Sequence, residues 1–475
     1  MPGGLSSGQS VFRGLSLHHI AGKVRYDMLS GRQEFVDYLI QKVSFEVFSS
    51  HLSYLCRQKN TETMNFCKLT GLCLSVAVLL VTGVSCEKVE NDIVKDRTVF
   101  VYFAGDNDLS VNIDDNINGM VRSMSSSLSE NCNLIAFIDR PGVNPKIIRI
   151  HDNRYDVVRT WDTSLNSASP ELLSELIEWV VNVYPADSYG LVLWSHGTGW
   201  IPSSVHPVLE SGSWGGISWG MAPGTGGSFY ERYMKPGARW PFGAVTKAIM
   251  ADWNGGSTYK WMEYNEMASA IPDNLFDFIL FDACNMASAE VAYQLRGKAR
   301  WMIASAIEVV SQGFPYDIVT PYMFNGDYIS LCRKYYEYYE SKSGTRRTAG
   351  IALVDLDKMD SLAESFSGVV SSATVSVDEL SLFVIQTLDR FSNHVMFDLM
   401  DFASHLRPGK AAMENLEKCM GDCILYHACT EYVLGELKID NYCGLSAYVP
   451  VPKYAENINP LFRQTEWNRA VGLLK

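Results

Sequence analysis

Two apolar segments of strand length, each ending at a reactive side chain, constrain the fold of this chain more than any other feature. One runs Leu191-Val-Leu-Trp-Ser-His196, and the other runs Phe278-Ile-Leu-Phe-Asp-Ala-Cys284. Short apolar runs bounded by polar residues predict buried strands. Parallel α/β sheets bind ligands beyond the carboxyl ends of their strands. Two such strands in one sheet would bring an imidazole and a thiol to one crevice, which is the layout of a cysteine nucleophile with its base.

From about residue 98 the sequence alternates strand-like and helix-like segments, which predicts a mostly parallel sheet covered by helices. Four more core strands are predicted, at 99–104, 134–138, 301–305 and 349–354. These make about six core strands in an α/β fold. A hairpin is predicted at 147–160, and a helix starting after Ser169-Pro170. Beyond residue 360 the pattern is mainly helical, with a late strand at 445–449.

The N-terminal part has the pattern of an export signal in an unusual place. Lys68 precedes an apolar run, residues 69–84, that is too short for an ordinary membrane span but fits a signal-peptide core. The run leads to Gly83-Val-Ser-Cys86, which resembles a lipoprotein processing site with Cys86 as the lipidated residue. We interpret residues 64–86 as the signal and residues 1–63 as an extension from a start codon placed too early.

Composition and charge narrow the class of protein. With 47% hydrophobic and 20% charged residues, the chain is typical of a globular protein. A formal net charge of −13 argues against a nucleic-acid partner, because phosphate binding needs clustered Lys and Arg. Such an acidic surface weakly favours basic peptides instead.

The cysteines offer two interpretations. Four of the eleven cysteines precede the globular part, and the remaining seven are an odd number. Cys419 and Cys423 would share one helix face, and Cys429 and His427 follow, so a metal site is one interpretation. A helix with small buried cysteines is the simpler one, and no metal is assigned.

Residues 200–260 have little periodicity and are rich in Gly, Ser, Pro and Trp, which is typical of a functional or disordered loop. The loop contains several basic residues, among them Arg232, Lys235 and Arg239. Proteolytic nicking is easiest in such a segment.

Five segments of the chain form an ordered set of motifs: Thr98-Val-Phe-Val-Tyr-Phe-Ala-Gly-Asp106-Asn107-Asp108-Leu, Trp194-Ser-His196-Gly197-Thr-Gly-Trp200, Asp282-Ala-Cys284-Asn-Met-Ala-Ser-Ala-Glu290, Gly313-Phe-Pro-Tyr316 and Gly444-Leu-Ser-Ala-Tyr-Val-Pro450. In this order they resemble the clostripain family of cysteine peptidases, which is grouped with caspases, gingipains and legumains. The resemblance implies a caspase-like αβα sandwich. On this basis residues 87–360 are the predicted catalytic domain and residues 361–475 a C-terminal helical region.

The chemistry of peptide hydrolysis gives each residue a predicted role. Cys284 supplies the thiolate and His196 moves the proton, while backbone N–H groups of Gly197 and Cys284 bind the oxyanion. A helix predicted at 285–295 would lower the thiol pKa through its N-terminus. Asp282 lies two residues before Cys284 and so points to the same face of the strand. The resemblance implies that Asp282 forms the floor of a pocket for Arg or Lys, although a helix cap is the alternative.

The resemblance also implies maturation by cleavage between His196 and Cys284, with Arg232, Lys235 and Arg239 as candidate sites. No cofactor is required, but the acidic turn Asp106-Asn107-Asp108 could bind calcium, as in some relatives; turn chemistry explains it equally well. The sequence thus predicts an exported cysteine endopeptidase that is anchored by a lipid in a bacterial cell envelope. It would be made as a zymogen and would cleave peptide bonds that follow basic residues. The alternative is a catalytically silent or differently selective relative that binds peptides or an envelope partner.

Overall fold

A computed structural model describes residues 94–205, 249–253 and 260–475, which belong to one compact unit, Ile93–Lys475. Several sequence predictions fall outside the described residues, namely the extension 1–63, the signal 64–86 with Cys86, and the candidate cleavage sites Arg232, Lys235 and Arg239.

The secondary structure of the described residues alternates strands and helices along most of the chain. The strands are β1 (Lys95–Ala104), β2 (Cys132–Arg140), β3 (Val143–His151), β4 (Arg154–Thr160), β5 (Ala186–Trp194), β6 (Ile249–Asp252), β7 (Lys260–Met262), β8 (Phe276–Asp282), β9 (Ala299–Ala304), β10 (Gly350–Asp355), β11 (Phe397–Asp398), β12 (Ile424–Cys429), β13 (Tyr432–Val433), β14 (Leu437–Lys438) and β15 (Ser446–Ala447). The α-helices are α1 (Ile113–Ser123), α2 (Ser126–Asn131), α3 (Pro170–Val183), α4 (Tyr264–Ala270), α5 (Ala289–Leu295), α6 (Tyr316–Asn325), α7 (Tyr328–Glu340), α8 (Met359–Ser372), α9 (Leu399–His405), α10 (Lys410–Cys423), α11 (Asn459–Phe462) and α12 (Glu466–Val471).

The central sheet of the described residues has nine strands in the order β12-β10-β9-β8-β5-β1-β2-β3-β4. β9, β8, β5, β1 and β2 pair in parallel, and β10 joins them in antiparallel orientation. The predicted mostly parallel core is therefore confirmed. β3 and β4 add the predicted hairpin at one edge. Asp152 and Asn153 at its tip both have positive φ, as a tight hairpin turn requires.

Helices cover both faces of the sheet, which gives the αβα sandwich. On one face, buried residues of α1, α6 and α7 pack together. On the other face, buried residues of α3, α4, α5, α8, α9, α10 and α12 do so. Helix α3 begins as predicted, since the Ser169 hydroxyl accepts the Leu172 N–H at 3.3 Å. Among the described residues, no helix has both the length and the apolar character needed to cross a membrane.

The structure differs from the predicted elements in two places outside the candidate site. The sequence pattern from Trp261 to Ile271 predicts a helix, but α4 begins only at Tyr264, because residues 260–262 pair with β6 and Glu263 forms a capping box with Glu266. Cys429 does not continue the helix of Cys419 and Cys423, because residues 424–429 form β12 against β10.

Candidate active site

His196 and Cys284 both line one cavity at the edge of the sheet. This follows from the pairing of β5 with β8, in which Trp194 lies beside Asp282. Since the two strands are parallel neighbours, the residues that follow them emerge at the same edge.

His196 is held through one ring nitrogen. Its Nε2 lies 2.7 Å from Asp108 Oδ1, and the residue is 4% exposed. Its Nδ1 is buried and has no hydrogen-bond partner among the described residues. Burial alone would raise the pKa of Asp108, but the charge and hydrogen bond of His196 outweigh it and lower that pKa. Asp108 therefore stays ionised and fixes the ring, which leaves Nδ1 available for chemistry.

The turn that carries Asp108 is shaped by its neighbour Asn107. The Asn107 Oδ1 accepts the Leu109 N–H at 3.0 Å, and its Nδ2 donates to the carbonyls of Ala104 and Ala251, both at 2.9 Å. The sequence predicted either calcium binding or ordinary turn chemistry for this turn, and its contact with His196 was not predicted. The useful signal was its position directly after β1, since ligands bind beyond the ends of neighbouring parallel strands.

Cys284 is buried, and the backbone of Val309 contacts its thiol. Sγ accepts the Val309 N–H at 3.2 Å and lies 3.6 Å from the Val309 carbonyl oxygen. Burial, followed by the negative charge of Glu308, raises the pKa of the thiol to about 12. The thiol is therefore neutral in this conformation.

The predicted helix N-terminus beside the thiol is absent, and this prediction was wrong. Helix α5 begins at Ala289, where the Ser288 hydroxyl accepts the Val291 N–H. Residues 285–287 instead bond to the loop after β9. The Asn285 N–H donates to the Ile307 carbonyl at 3.0 Å, and the Ala287 N–H donates to the Ser305 carbonyl at 2.9 Å.

Gly197 allows the histidine segment to lie against the cysteine segment. A Cβ atom at this position would be only 2.5 Å from the Cys284 carbonyl oxygen and 3.0 Å from the Ala283 Cβ. The structure thus brings the backbones of Gly197 and Cys284 together. Their role as oxyanion donors stays a prediction.

Asp282 also lines the cavity but is largely occupied by structural hydrogen bonds. Its Oδ2 accepts the Phe314 N–H at 3.0 Å and the Tyr316 hydroxyl at 2.9 Å. Burial raises its pKa to about 6, and these two bonds oppose the increase. Gly313 has φ +71°, and a Cβ there would lie 2.4 Å from Oδ2, so the loop carrying Gly313 is closed tightly over the carboxylate.

The cavity itself is nearly filled. Its volume is about 20 Å³, which is space for about one water molecule. An Arg or Lys side chain therefore does not fit, and the described conformation is a closed one.

No metal centre is assembled in the described part of the chain, where no group of three or more His, Cys, Asp or Glu side chains is arranged to hold an ion. Cys419, Cys423 and Cys429 are free thiols, as are the other described cysteines. Calcium binding at Asp106–Asp108 stays a prediction.

The fold defines a caspase-like α/β protein, and a cysteine and a histidine line one cavity at the ends of two of its neighbouring strands. Residues 101–213 and 236–436 match the clostripain family, so the chain belongs to that family and is a cysteine-type peptidase.

Two solved structures extend this comparison. The inactive zymogen of a C11 protease from Parabacteroides distasonis is 29% identical, with a TM-score of 0.63 over 80% of this chain and 99% of that one. A secreted C11 cysteine protease from Bacteroides thetaiotaomicron, in complex with an irreversible peptide inhibitor, is 27% identical, with a TM-score of 0.62 over 79% of this chain and 98% of that one. The comparison with curated proteins found no match.

Proposed function

We propose that this peptidase is an endopeptidase that cleaves after Arg or Lys, with Cys284 as the nucleophile and His196 as the general base and acid. The observation that carries the proposal is the single cavity lined by His196, Cys284 and Asp282 at the ends of two adjacent parallel strands.

The proposed mechanism begins when the thiol leaves the Val309 backbone and transfers its proton to His196 Nδ1. Asp108, on Nε2, stabilises the resulting imidazolium and acts as a positioning residue. The thiolate attacks the substrate carbonyl, and the backbone N–H groups of Gly197 and Cys284 donate to the oxyanion. His196 then protonates the leaving amine, and afterwards activates the water that hydrolyses the thioester.

The proposed preference for basic residues depends on Asp282. A carboxylate at the floor of a closed pocket is a strong partner for guanidinium or ammonium once water is excluded. A second candidate, an enzyme of different selectivity, is favoured by the two hydrogen bonds that already occupy Asp282 Oδ2. In that case the carboxylate would hold the loop at residues 313–316 and take no part in recognition.

We further propose that the chain is made as a zymogen. The nearly filled cavity, which has no space for an Arg or Lys side chain, supports an inactive starting state. Cleavage at one of Arg232, Lys235 or Arg239 would be the activating step. Export with a lipid on Cys86 completes the proposal; it rests on the sequence pattern and on the likeness to a secreted relative.

A peptide-library assay on purified wild type, Cys284→Ala and His196→Ala tests the assignment. Wild type should cleave after Arg or Lys and separate into two fragments on a denaturing gel, whereas both variants should stay intact and inactive. An Asp282→Asn variant should lose cleavage after basic residues by about 10–100-fold, as expected for a buried charged hydrogen bond. Full activity in folded Cys284→Ala would reject the mechanism. Wild-type cleavage after apolar or acidic residues would select the second candidate.

A further inference from the structure

Arg390 forms a largely buried ion pair close to the catalytic cysteine. Its Nε and Nη2 contact both carboxylate oxygens of Glu308, with Nη2 at 3.2 Å from Oε1, and its Nη1 contacts Glu436. The side chains of Arg390 and Glu308 are only 14% and 10% exposed. A two-point contact of this kind fixes position as well as charge.

Arg390 extends from a turn that is itself rigidly held. The preceding Asp389 is buried, with its side chain 1% exposed. One of its oxygens accepts the Phe391 N–H at 2.9 Å, and the other accepts the N–H groups of Val395 and Met396 at 2.9 and 2.6 Å. Three backbone N–H groups of the turn thus bind the one carboxylate of Asp389, which fixes the turn and with it the position of the Arg390 side chain.

Glu308 occupies a sensitive position on the other side of the pair. It directly precedes Val309, whose N–H and carbonyl contact the Cys284 thiol. Ile307, on its other side, accepts the Asn285 N–H. From Val309 to Gly313 the same loop lines the closed cavity. Whatever fixes Glu308 therefore fixes the backbone that covers the thiol.

We propose that Arg390 is a positioning residue that, through Glu308, holds the loop 309–313 closed over Cys284 and so controls access to the thiol. This rests on the proposed role of Cys284 as the nucleophile. Removing the arginine would leave Glu308 buried without its partner, which is strongly unfavourable. The loop relieves this when it moves outward and hydrates the carboxylate, and the same movement uncovers the thiol.

The chain offers a matched control for this proposal. Arg296 also contacts two carboxylates, with Nε 2.9 Å from Asp360 Oδ1 and Nη1 2.7 Å from Glu466 Oε2. These contacts lie after helix α5 and outside the cavity lining. Loss of this arginine also removes a double ion pair, although a more exposed one, without touching the loop at 309–313.

The test measures alkylation of Cys284 by iodoacetamide, followed by mass spectrometry of the peptide that contains it. All variants carry His196→Ala, which keeps the chain uncleaved and makes the readout independent of peptidase activity. Arg390→Gln should raise the alkylation rate at least tenfold, Arg390→Lys should fall between it and the parent, and Arg296→Gln should stay within twofold.

Two results would overturn the proposal. One is an alkylation rate in Arg390→Gln equal to that of the parent, and the other is an equal increase in Arg296→Gln. If thermal melting shows that Arg390→Gln does not fold, Arg390→Lys decides, and a rate within twofold of the parent then refutes the idea. Because neither outcome depends on catalysis, failure here is distinct from failure of the proposed peptidase mechanism.

Discussion

Replacing Asp108 by asparagine removes the negative charge beside His196 Nε2 while an oxygen remains to accept its hydrogen bond. The contact is short, at 2.7 Å, and the Asp108 side chain is 28% exposed. In the proposed mechanism His196 becomes positively charged only after it takes the thiol proton. The lost interaction is therefore stronger in the transition state than in the resting enzyme, and its loss should lower kcat more than it raises KM.

The magnitude follows from the geometry. A hydrogen bond to a charged group contributes about 1.5–3 kcal/mol, and partial exposure of Asp108 places it in the lower half of that range. Converted at about 1.4 kcal/mol per tenfold, Asp108→Asn should lower kcat/KM by roughly 10–30-fold. Asp108→Ala should cost about another tenfold, because the ring then also loses the acceptor that orients it.

The assay is steady-state hydrolysis of a fluorogenic Arg peptide by the processed enzyme. Asp114→Asn is the matched control, because Asp114 is an exposed carboxylate that pairs with Arg140 at 2.8 Å on the enzyme surface. The control should keep full activity. The reasoning fails if folded Asp108→Asn has a kcat/KM within twofold of wild type, or if its whole loss appears in KM.

Three further predictions concern other parts of the chain. Gly197→Ala places a methyl group 2.5 Å from the Cys284 carbonyl oxygen, so it should destabilise the fold by about 1–3 kcal/mol and abolish activity. Thermal melting and the peptide assay together check this, and a stable variant that keeps its activity contradicts it. Burial, then the charges of Asp252 and Asp106, raises the pKa of Asp139 to about 8. Its stabilising effect is complete below the unfolded pKa and is lost progressively between that pH and about 8, by at most about 1.4 kcal/mol per pH unit. Denaturant unfolding should therefore show a smaller loss of stability between pH 6 and pH 9 in Asp139→Asn than in wild type, and an equal loss refutes this. A fatty-acid analogue should label wild type but not Cys86→Ala, and equal labelling of both would place the lipid elsewhere or dismiss it.

The central sheet and the positions of His196 and Cys284 were predictable because their signals are local. An apolar run that ends in a polar residue marks a strand end wherever the chain goes next. The start of α5 was not predictable in this way. Helical spacing continues back to Asn285, but hydrogen bonds to the loop after β9 hold residues 285–287 in another conformation.

The contacts that the sequence did not reveal are long-range ones. Asp108 meets His196 only because β1 pairs with β5, which brings Phe103 beside Trp194. Arg390 and Glu308 are separated by 82 positions along the chain, and neither lies in a periodic segment that would mark its partner. Such contacts depend on the register of the sheet and on loop packing, which a single sequence does not specify.

The order of strands in the sheet has a consequence for how the enzyme can be divided. In the described central sheet, the strands before residue 200 lie on one side, in the block β5-β1-β2-β3-β4, and those after residue 270 lie on the other, in the block β8-β9-β10-β12. The two blocks meet only where β5 pairs with β8, and His196 follows the last strand of one while Cys284 follows the first strand of the other. Two separately expressed fragments would therefore each contain a contiguous piece of sheet and one residue of the proposed catalytic pair, so the recovery of peptidase activity on mixing would directly report their association.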